Sequence, residues 1–563
     1  MVASNVTASA GGYVGDWNRE DTAVIETQPS HFKDDPKRPI LVQPKGAVKV
    51  ATTKRPNIVI LMLDDMAAMD PRIWERMPAL GPYFLQHGIT FTNYFGNDPL
   101  CCPGRTNVLT GLFTDHTGVW TNDARLFDPS ESLATELQAS GYTTMISGKY
   151  LNLTTLLGSK RPPGWTYSSI YGGGYYDYTL YRQGKPEFHD NDRNDYAPDV
   201  FSNEIVQQLR NAPANKPIFA YVAPFVAHAG TDANGSRVTG LPIAANRYKG
   251  NARCAGLAPW DPPNYNEADV SDKPAYIQAR RPVPFADGWP TVPFCDAMLA
   301  VDQEFTRIRK ELIKEGRFDN TLFLLTADNG MAYGAHRVGT KYVPYATQMP
   351  LYAYWADGRG VSPAEVTNYL SNVDIAPTLC DLGGCTMGPY PNGQKNPDGQ
   401  SFLGLLTPQS SSVPVRTSLY EENRGNTDGW PPWRALRTTT SSRQGLWHYI
   451  ENDTDTGPNK VELYDVSGGN CWDWSPGMPG DPCELTNVAS THPGIVAALH
   501  SQLASYVTNV DPGIPVPPTP MPTPTLAASP DPTPDPTPDP TAEPTPDPTD
   551  LPTPMPTPSP GMP

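Results

Sequence analysis

Two pairs of oxygen-bearing residues each stand where the chain leaves a buried strand. The run NIVILML, Asn57 to Leu63, is continuous, apolar and rich in β-branched residues, and it stops at Asp64-Asp65. A second run, TLFLLTA, stops in the same way at Asp328-Asn329. Such runs read as parallel strands buried on both faces, and open α/β sheets gather ligands outside the carboxyl ends of their strands. Four oxygen-bearing side chains at two strand ends suit a hard divalent cation. Ca2+ is expected, with Mg2+ as the alternative, rather than zinc, which wants His or Cys. Taken singly, each pair is an ordinary turn after a strand.

The segment CCPGRTNVLTG, Cys101 to Gly111, carries the nucleophile chemistry. Pro103 in a first helical turn costs no hydrogen bond, which puts Cys101 at a helix N-terminus where the dipole favours negative charge. Arg105, two residues further in, is placed to bond oxygens of the nucleophile and of an anionic substrate. Cys102 reads as a buried structural thiol. The segment resembles the sulfatase family, whose motif C-x-P-x-R, followed at fixed spacing by T-G, directs oxidation of its first Cys to formylglycine. Cys101, Pro103, Arg105, Thr110 and Gly111 match, and Gly104 stands where the family usually has Ser.

The resemblance runs from about Arg55 to Ala489 through RPNIVILMLDD, FDNTLFLLTADNG, NVDIAPTL and ELYDV…CELTNVA, and CCP, SGKYLN and WRALRT look closest to the glucosamine-6-sulfatase branch. It implies that Asp64, Asp65, Asp328, Asn329 and the modified Cys101 bind Ca2+. It also implies that Lys149, His228 and Lys341 hold sulfate and move protons, with His336 in GAHRVGTK a further candidate. A hydrated aldehyde would offer one hydroxyl to attack sulfur and a second whose deprotonation expels sulfate, and an alcohol-type nucleophile of this kind needs activation. His228 or Lys341 would protonate the leaving alcohol, and His228 or His336 would take the later proton.

The implied partners are a sulfated carbohydrate substrate and, during maturation, a formylglycine-generating enzyme. Trp165, Tyr171, Tyr175 and Tyr176 of a Gly/Tyr-rich insertion are candidates for stacking on sugar rings. Some positions depart from the family. Leu151 stands where many members have a His, Ala346 where many have an acid, and Asn152 falls in an N-L-T glycosylation sequon. Two other readings remain: a phosphatase or phosphonate monoester hydrolase on the same scaffold, and a non-catalytic secreted glycan-binding protein.

Strands must hold these residues, and helical patterns alternate with the apolar runs. TTMISG and IFAYVAP read as strands, SLATELQASG, DVFSNEIVQQLRNA and CDAMLAVDQEFTRIRKELIKEG as helices. The expected class is therefore α/β: a large mixed, mostly parallel sheet flanked by helices, alkaline-phosphatase-like by the resemblance, with a smaller C-terminal α+β unit. The expected boundaries are an N-terminal arm at 1–54, a catalytic domain at 55–415, the smaller subdomain at 416–511 and a disordered Pro/Thr/Asp-rich tail at 512–563.

The net charge of −17 over 563 residues, with six acids and no Lys or Arg in the tail, leaves an acidic body. That argues against a nucleic-acid partner, whose phosphates call for a basic face. No stretch reaches the roughly 18 to 20 apolar residues of a transmembrane span, and no signal peptide is visible at the start. Beyond Cys101 and Cys102, six cysteines remain. Spacing pairs Cys380 with Cys385 and Cys471 with Cys483 and leaves Cys254 for Cys295, although spacing alone does not fix connectivity. Disulfides point to an oxidising compartment, so the expected location is secreted, extracellular or periplasmic. Oligomeric state is open at this level.

Overall fold

The apolar run at Asn57–Leu63 becomes β1, buried along its whole length, because both of its edges and both of its faces find partners. In this computed structural model, residues 55–507 are described, except 70–71, 158–159, 235–239, 357–363, 426–429 and 454. The expected N-terminal arm and Pro/Thr/Asp tail lie outside the described residues.

Ten strands make the main sheet: β1, β2 (Ile89–Phe95), β3 (Thr143–Lys149), β4 (Tyr167–Tyr171), β5 (Tyr178–Arg182), β6 (Lys185–His189), β7 (Ile218–Ala223), β8 (Thr321–Ala327), β9 (Leu351–Trp355) and β10 (Ala364–Ser371). Their order across the sheet is β10-β2-β9-β8-β1-β7-β3-β4-β5-β6. β1 runs parallel to β7 and β8, and β3 parallel to β7 and β4, while β9 and the β5–β6 hairpin are antiparallel insertions. The sheet is thus mixed and mostly parallel about a fully buried centre, as the continuous apolar runs require.

Helices α1 (Cys101–Thr110), α2 (Leu133–Ala139), α3 (Ala197–Asn211), α4 (Val292–Lys314) and α5 (Ile375–Gly383) accompany these strands. α2 starts at a Ser132–Thr135 capping box. α1 is buried at every position and ends on Gly111, whose left-handed φ of 75° lets its N–H close back on Asn107. The four antiparallel strands β11 (Ser418–Asn423), β12 (Trp433–Thr438), β13 (Trp447–Asn452) and β14 (Val461–Asp465) form the smaller sheet. One face packs Leu436, Tyr449 and Leu463 under Leu499 and Leu503 of α6 (Pro493–Val507); the other packs Trp433, Ala435, Ile450 and Tyr464. This is the period of two that strands impose.

The disulfides are Cys254–Cys295, Cys380–Cys385 and Cys471–Cys483, which leaves Cys101 and Cys102 as buried free thiols among the described residues.

Candidate active site

Register brings the acidic pairs together. Leu63 of β1 pairs with Ala327 of β8, so the two strands end level and Asp64-Asp65 lands beside Asp328-Asn329. The Asp328 N–H donates to the Leu63 carbonyl at 3.0 Å, and Asp328 Oδ1 accepts the backbone N–H of Asp65 at 3.1 Å and of Asn329 at 2.8 Å. Asn329 Nδ2 then donates to Asp65 Oδ1 at 2.8 Å. Another strand of the sheet delivers a cation. β3 ends on Lys149, reached through Gly148 at φ 111°, where a Cβ would stand 2.1 Å from the Ala223 carbonyl of β7.

Cys101 opens α1 and points its sulfur into this group. Its Sγ lies 3.7 Å from Asp64 Oδ1, 3.9 Å from Asp65 Oδ1 and 2.9 Å from Lys341 Nζ. Lys341 also donates to Asp65 Oδ1 and, at 3.3 Å, to Asn329 Oδ1. Lys149 Nζ pairs with Asp64 Oδ2 at 2.6 Å. Arg105 is fully buried and largely committed: Nε donates to Asp328 Oδ2 at 2.8 Å and Nη1 to the Lys149 carbonyl at 2.6 Å. Its Nη2 lies 3.4 Å from Asp64 Oδ2 and makes no hydrogen bond among the described residues.

His228 closes the group, with Nε2 3.3 Å from Asp65 Oδ2. Its Nδ1 lies 2.6 Å from the Ala229 carbonyl, which can only accept, so Nδ1 carries the proton and Nε2 is the nitrogen free to exchange one. The ring stacks on Phe225 at 4.5 Å, and the same Phe225 ring lies 5.3 Å from Lys149 Nζ. The His228 side chain is 28% exposed whereas those of Asp64, Arg105 and Lys149 are 0% exposed, so His228 is the member of the group nearest to solvent among these four.

Burial alone would raise the Asp64 and Asp65 carboxyls. Lys149 and His228 around Asp64, and Lys341 and His228 around Asp65, override it and hold both below the ordinary carboxylate range. Burial, reinforced by Asp64, pushes Asp328 up in spite of Arg105. Burial also pushes the Cys101 thiol up against the pull of Lys149 and Lys341, which keeps it protonated as a thiol.

The donor set fits a divalent cation. Ligand atoms of Asp64, Asp65, Cys101 and His228 all lie within 4.8 Å of one another. The positively charged Lys341 ammonium gathers Asp65, Asn329 and Cys101 around a single point. Buried carboxylate and amide donors with a half-buried imidazole form a candidate metal-binding site.

Most sequence candidates therefore meet at one place: Asp64, Asp65, Cys101, Arg105, Lys149, His228, Asp328, Asn329 and Lys341. His336 does not join them. Left-handed backbone at Tyr333, His336 and Arg337 turns the chain aside, and the buried His336 ring bonds Glu267 Oε2 through Nδ1 at 2.5 Å and packs on Tyr345. Its expected catalytic part is withdrawn on that geometry. The sugar-stacking expectation also fails for Trp165, Tyr171 and Tyr175, each at most 2% exposed and packed in the core. Tyr175 instead donates its hydroxyl to the His228 carbonyl at 2.8 Å, and Tyr333 donates to the Asp65 carbonyl. Neither contact leaves a signal in local sequence. Asn152 faces Cys102, its N–H reaching that sulfur at 3.2 Å.

Comparison with known proteins gives the family. The sulfatase family model matches residues 56–385. An arylsulfatase of Chlamydomonas reinhardtii is 28% identical over 510 residues, covering 81% of this chain and 74% of its own. The N-acetylglucosamine-6-sulfatase of Homo sapiens is 25% identical over 497 residues, covering 78% and 82%. A solved structure in complex with its substrate D-glucosamine-2-N,6-O-disulfate superposes with a TM-score of 0.55 at 21% identity, over 81% of this chain and 99% of that one. The chain belongs to the sulfatase family. It is a sulfuric ester hydrolase on an alkaline-phosphatase-like fold.

Proposed function

We propose that the protein removes sulfate from carbohydrate sulfate esters, of the glucosamine-6-sulfate kind or another glycan sulfate, with a formylglycine made from Cys101 as nucleophile. One observation carries the reading: the Cys101 sulfur opens a helix beside Asp64, Asp65 and the Lys341 ammonium. The named N-acetylglucosamine-6-sulfatase relative supports the substrate class.

Asp64, Asp65, Asp328, Asn329 and residue 101 would hold a divalent cation, Ca2+ with Mg2+ as the alternative, which supplies Lewis-acid stabilisation of negative charge. The hydrated aldehyde supplies two hydroxyls at one carbon. The chain's own groups do the rest. Arg105 fixes Asp328, and its Nη2, which makes no hydrogen bond among the described residues, would be available to an oxygen at position 101. Lys149 and Lys341 hold the sulfate oxygens in a buried pocket where fixed cations act with little solvent screening. His228, with Nδ1 pinned, passes protons at Nε2, and Lys341 is the alternative donor to the departing alcohol.

Maturation requires a formylglycine-generating partner. Three disulfides support a secreted, extracellular or periplasmic location, and no helix among the described residues is long and apolar enough to cross a membrane. A panel of sulfated and phosphorylated mono- and disaccharides tests the reading. Release of sulfate from 6-sulfated glucosamine units is expected, and turnover confined to phosphate or phosphonate esters contradicts it.

A further inference from the structure

Asn97 and Asp98 are fully buried four and three residues ahead of Cys101, and the chemistry above uses neither. Both ends of the Asn97 amide are bonded: Oδ1 accepts the Thr114 N–H at 2.8 Å and Nδ2 donates to the Tyr420 carbonyl at 3.1 Å. Its backbone is tied as firmly, the N–H donating to Asn372 Oδ1 at 2.9 Å and the carbonyl accepting the Glu422 N–H at 2.7 Å. Asp98 Oδ1 accepts the Leu100 N–H at 2.9 Å and Asn423 Nδ2 at 3.4 Å. Asn372 reaches α1 as well, donating to Asn107 Oδ1 at 3.4 Å.

Leu100, the residue that caps α1, offers no side-chain hydrogen bond of its own. A helix start without one is free to fray unless neighbours hold it. Here Asn122 Oδ1 accepts the Cys102 N–H at 2.9 Å, and the segment just ahead of the helix is held by Tyr420, Glu422 and Asn423, all of β11 and more than 300 residues away in sequence. The first strand of the smaller sheet thus grips the segment that presents Cys101. Asn97 is bonded through both its amide and its backbone and Asp98 through Oδ1, while Asp98 Oδ2 has no hydrogen-bond partner among the described residues; these bonds together favour one placement of the segment ahead of Cys101.

We propose that Asn97 and Asp98 are positioning residues for the nucleophile, and that β11 is thereby part of the frame of the active site. The proposal rests on reading Cys101 as the nucleophile. Displacement of a reacting atom by about 1 Å costs on the order of 100-fold in rate, so the effect belongs in kcat rather than in binding.

The test uses the full chain with Asp98→Ala, Asn423→Ala and the conservative Asp98→Asn. For each, kcat and KM are measured on the sulfate ester that the wild type turns over. Amide hydrogen exchange is followed in a peptide covering residues 96–105, and thermal unfolding is recorded. Asp98→Ala and Asn423→Ala should lower kcat on the order of 10- to 100-fold with KM within about twofold, and speed exchange at Leu100 and Cys101. Asp98→Asn, which keeps an acceptor for the Leu100 N–H, should restore most of kcat. Unchanged kcat in both alanine variants overturns the proposal, as does an Asp98→Asn enzyme as impaired as Asp98→Ala, which would give the carboxyl a chemical part of its own. If Asp98→Ala does not fold, Asn423→Ala, which removes the 3.4 Å contact to Asp98 and the acceptor for the Gly425 N–H, decides the matter. If the wild type cleaves no sulfate ester, the functional reading falls, while the exchange measurement still decides whether β11 holds the helix start.

Discussion

Gly104 of α1 packs against the backbone of Asp328 so closely that a Cβ built on it would stand 2.0 Å from the Asp328 carbonyl oxygen. The first turn carrying Cys101 and Arg105 therefore approaches the tip of β8 only because residue 104 has no side chain. This gives a physical reason for glycine where the family usually has serine. Gly104→Ala and Gly104→Ser should each cost about 2 kcal/mol of stability by overpacking and lower kcat further by moving Cys101 off Asp64. Thermal unfolding together with single-turnover rates checks this. Wild-type behaviour in both variants contradicts the close-packing account.

Metal dependence follows from two buried carboxylates side by side. Chelation should abolish turnover, and added Ca2+ should restore it and raise the unfolding temperature in proportion to the logarithm of its concentration, because the ion binds the folded state alone. Asp65→Asn should weaken this thermal response on the order of tenfold in apparent affinity. Scanning calorimetry with and without Ca2+ reads the effect, and an unfolding temperature indifferent to the ion contradicts the proposed ligand set.

Stability should respond to pH with opposite signs at two buried glutamates. Burial would raise the Glu484 carboxyl, but His448, 2.6 Å away, and Arg437 hold it at about 2 against an ordinary value of 4.5. A depressed acid stabilises the fold above pH 4.5, and its share, about 3 kcal/mol, fades as pH falls from there through about 2. Glu304 is the reverse case. Burial raises it to about 8 over the opposing Arg307, and neither carboxyl oxygen has a hydrogen-bond partner among the described residues. Between pH 4.5 and 8 the folded chain keeps a proton that the unfolded chain has released, so this group lowers stability as pH rises across that window. Urea midpoints against pH should show Glu484→Gln flattening the acid limb and Glu304→Gln more stable than wild type at pH 9. Parallel curves for all three proteins contradict both assignments.

Much of the frame was legible because its signals are local. A run of β-branched residues that ends in two acids announces a buried strand and its tip, and Cys-x-Pro-x-Arg announces a helix start. The paired acidic strand ends became neighbours through the Leu63–Ala327 register, which no single strand encodes. The β5–β6 hairpin was hidden because β6 is exposed along most of its length and lacks an apolar face to read. Tyr175 sits in a Gly/Tyr-rich stretch that reads as loop, yet its burial comes from distant partners, Tyr196 and Phe225. His336 misled for a related reason: it is near Lys341 in sequence, but three left-handed residues send it to Glu267.

Replacement of the nucleophile separates binding from turnover. Cys101→Ser keeps a hydroxyl-bearing side chain of similar size beside Lys341 but offers one hydroxyl where the hydrated aldehyde offers two. The variant should fold with an unchanged unfolding temperature and release at most one alcohol per protein molecule from a nitrophenyl sulfate ester. Stopped-flow detection of nitrophenol reads this stoichiometry. Sustained turnover at the wild-type rate contradicts the assigned role.

The most direct measurement is peptide mass spectrometry across residue 101 in protein already shown to hydrolyse a sulfate ester. The account predicts that the thiol of Cys101 has been replaced by an aldehyde, in a fraction of molecules that rises in step with specific activity across preparations. Fully active protein in which Cys101 is an unmodified thiol would contradict it.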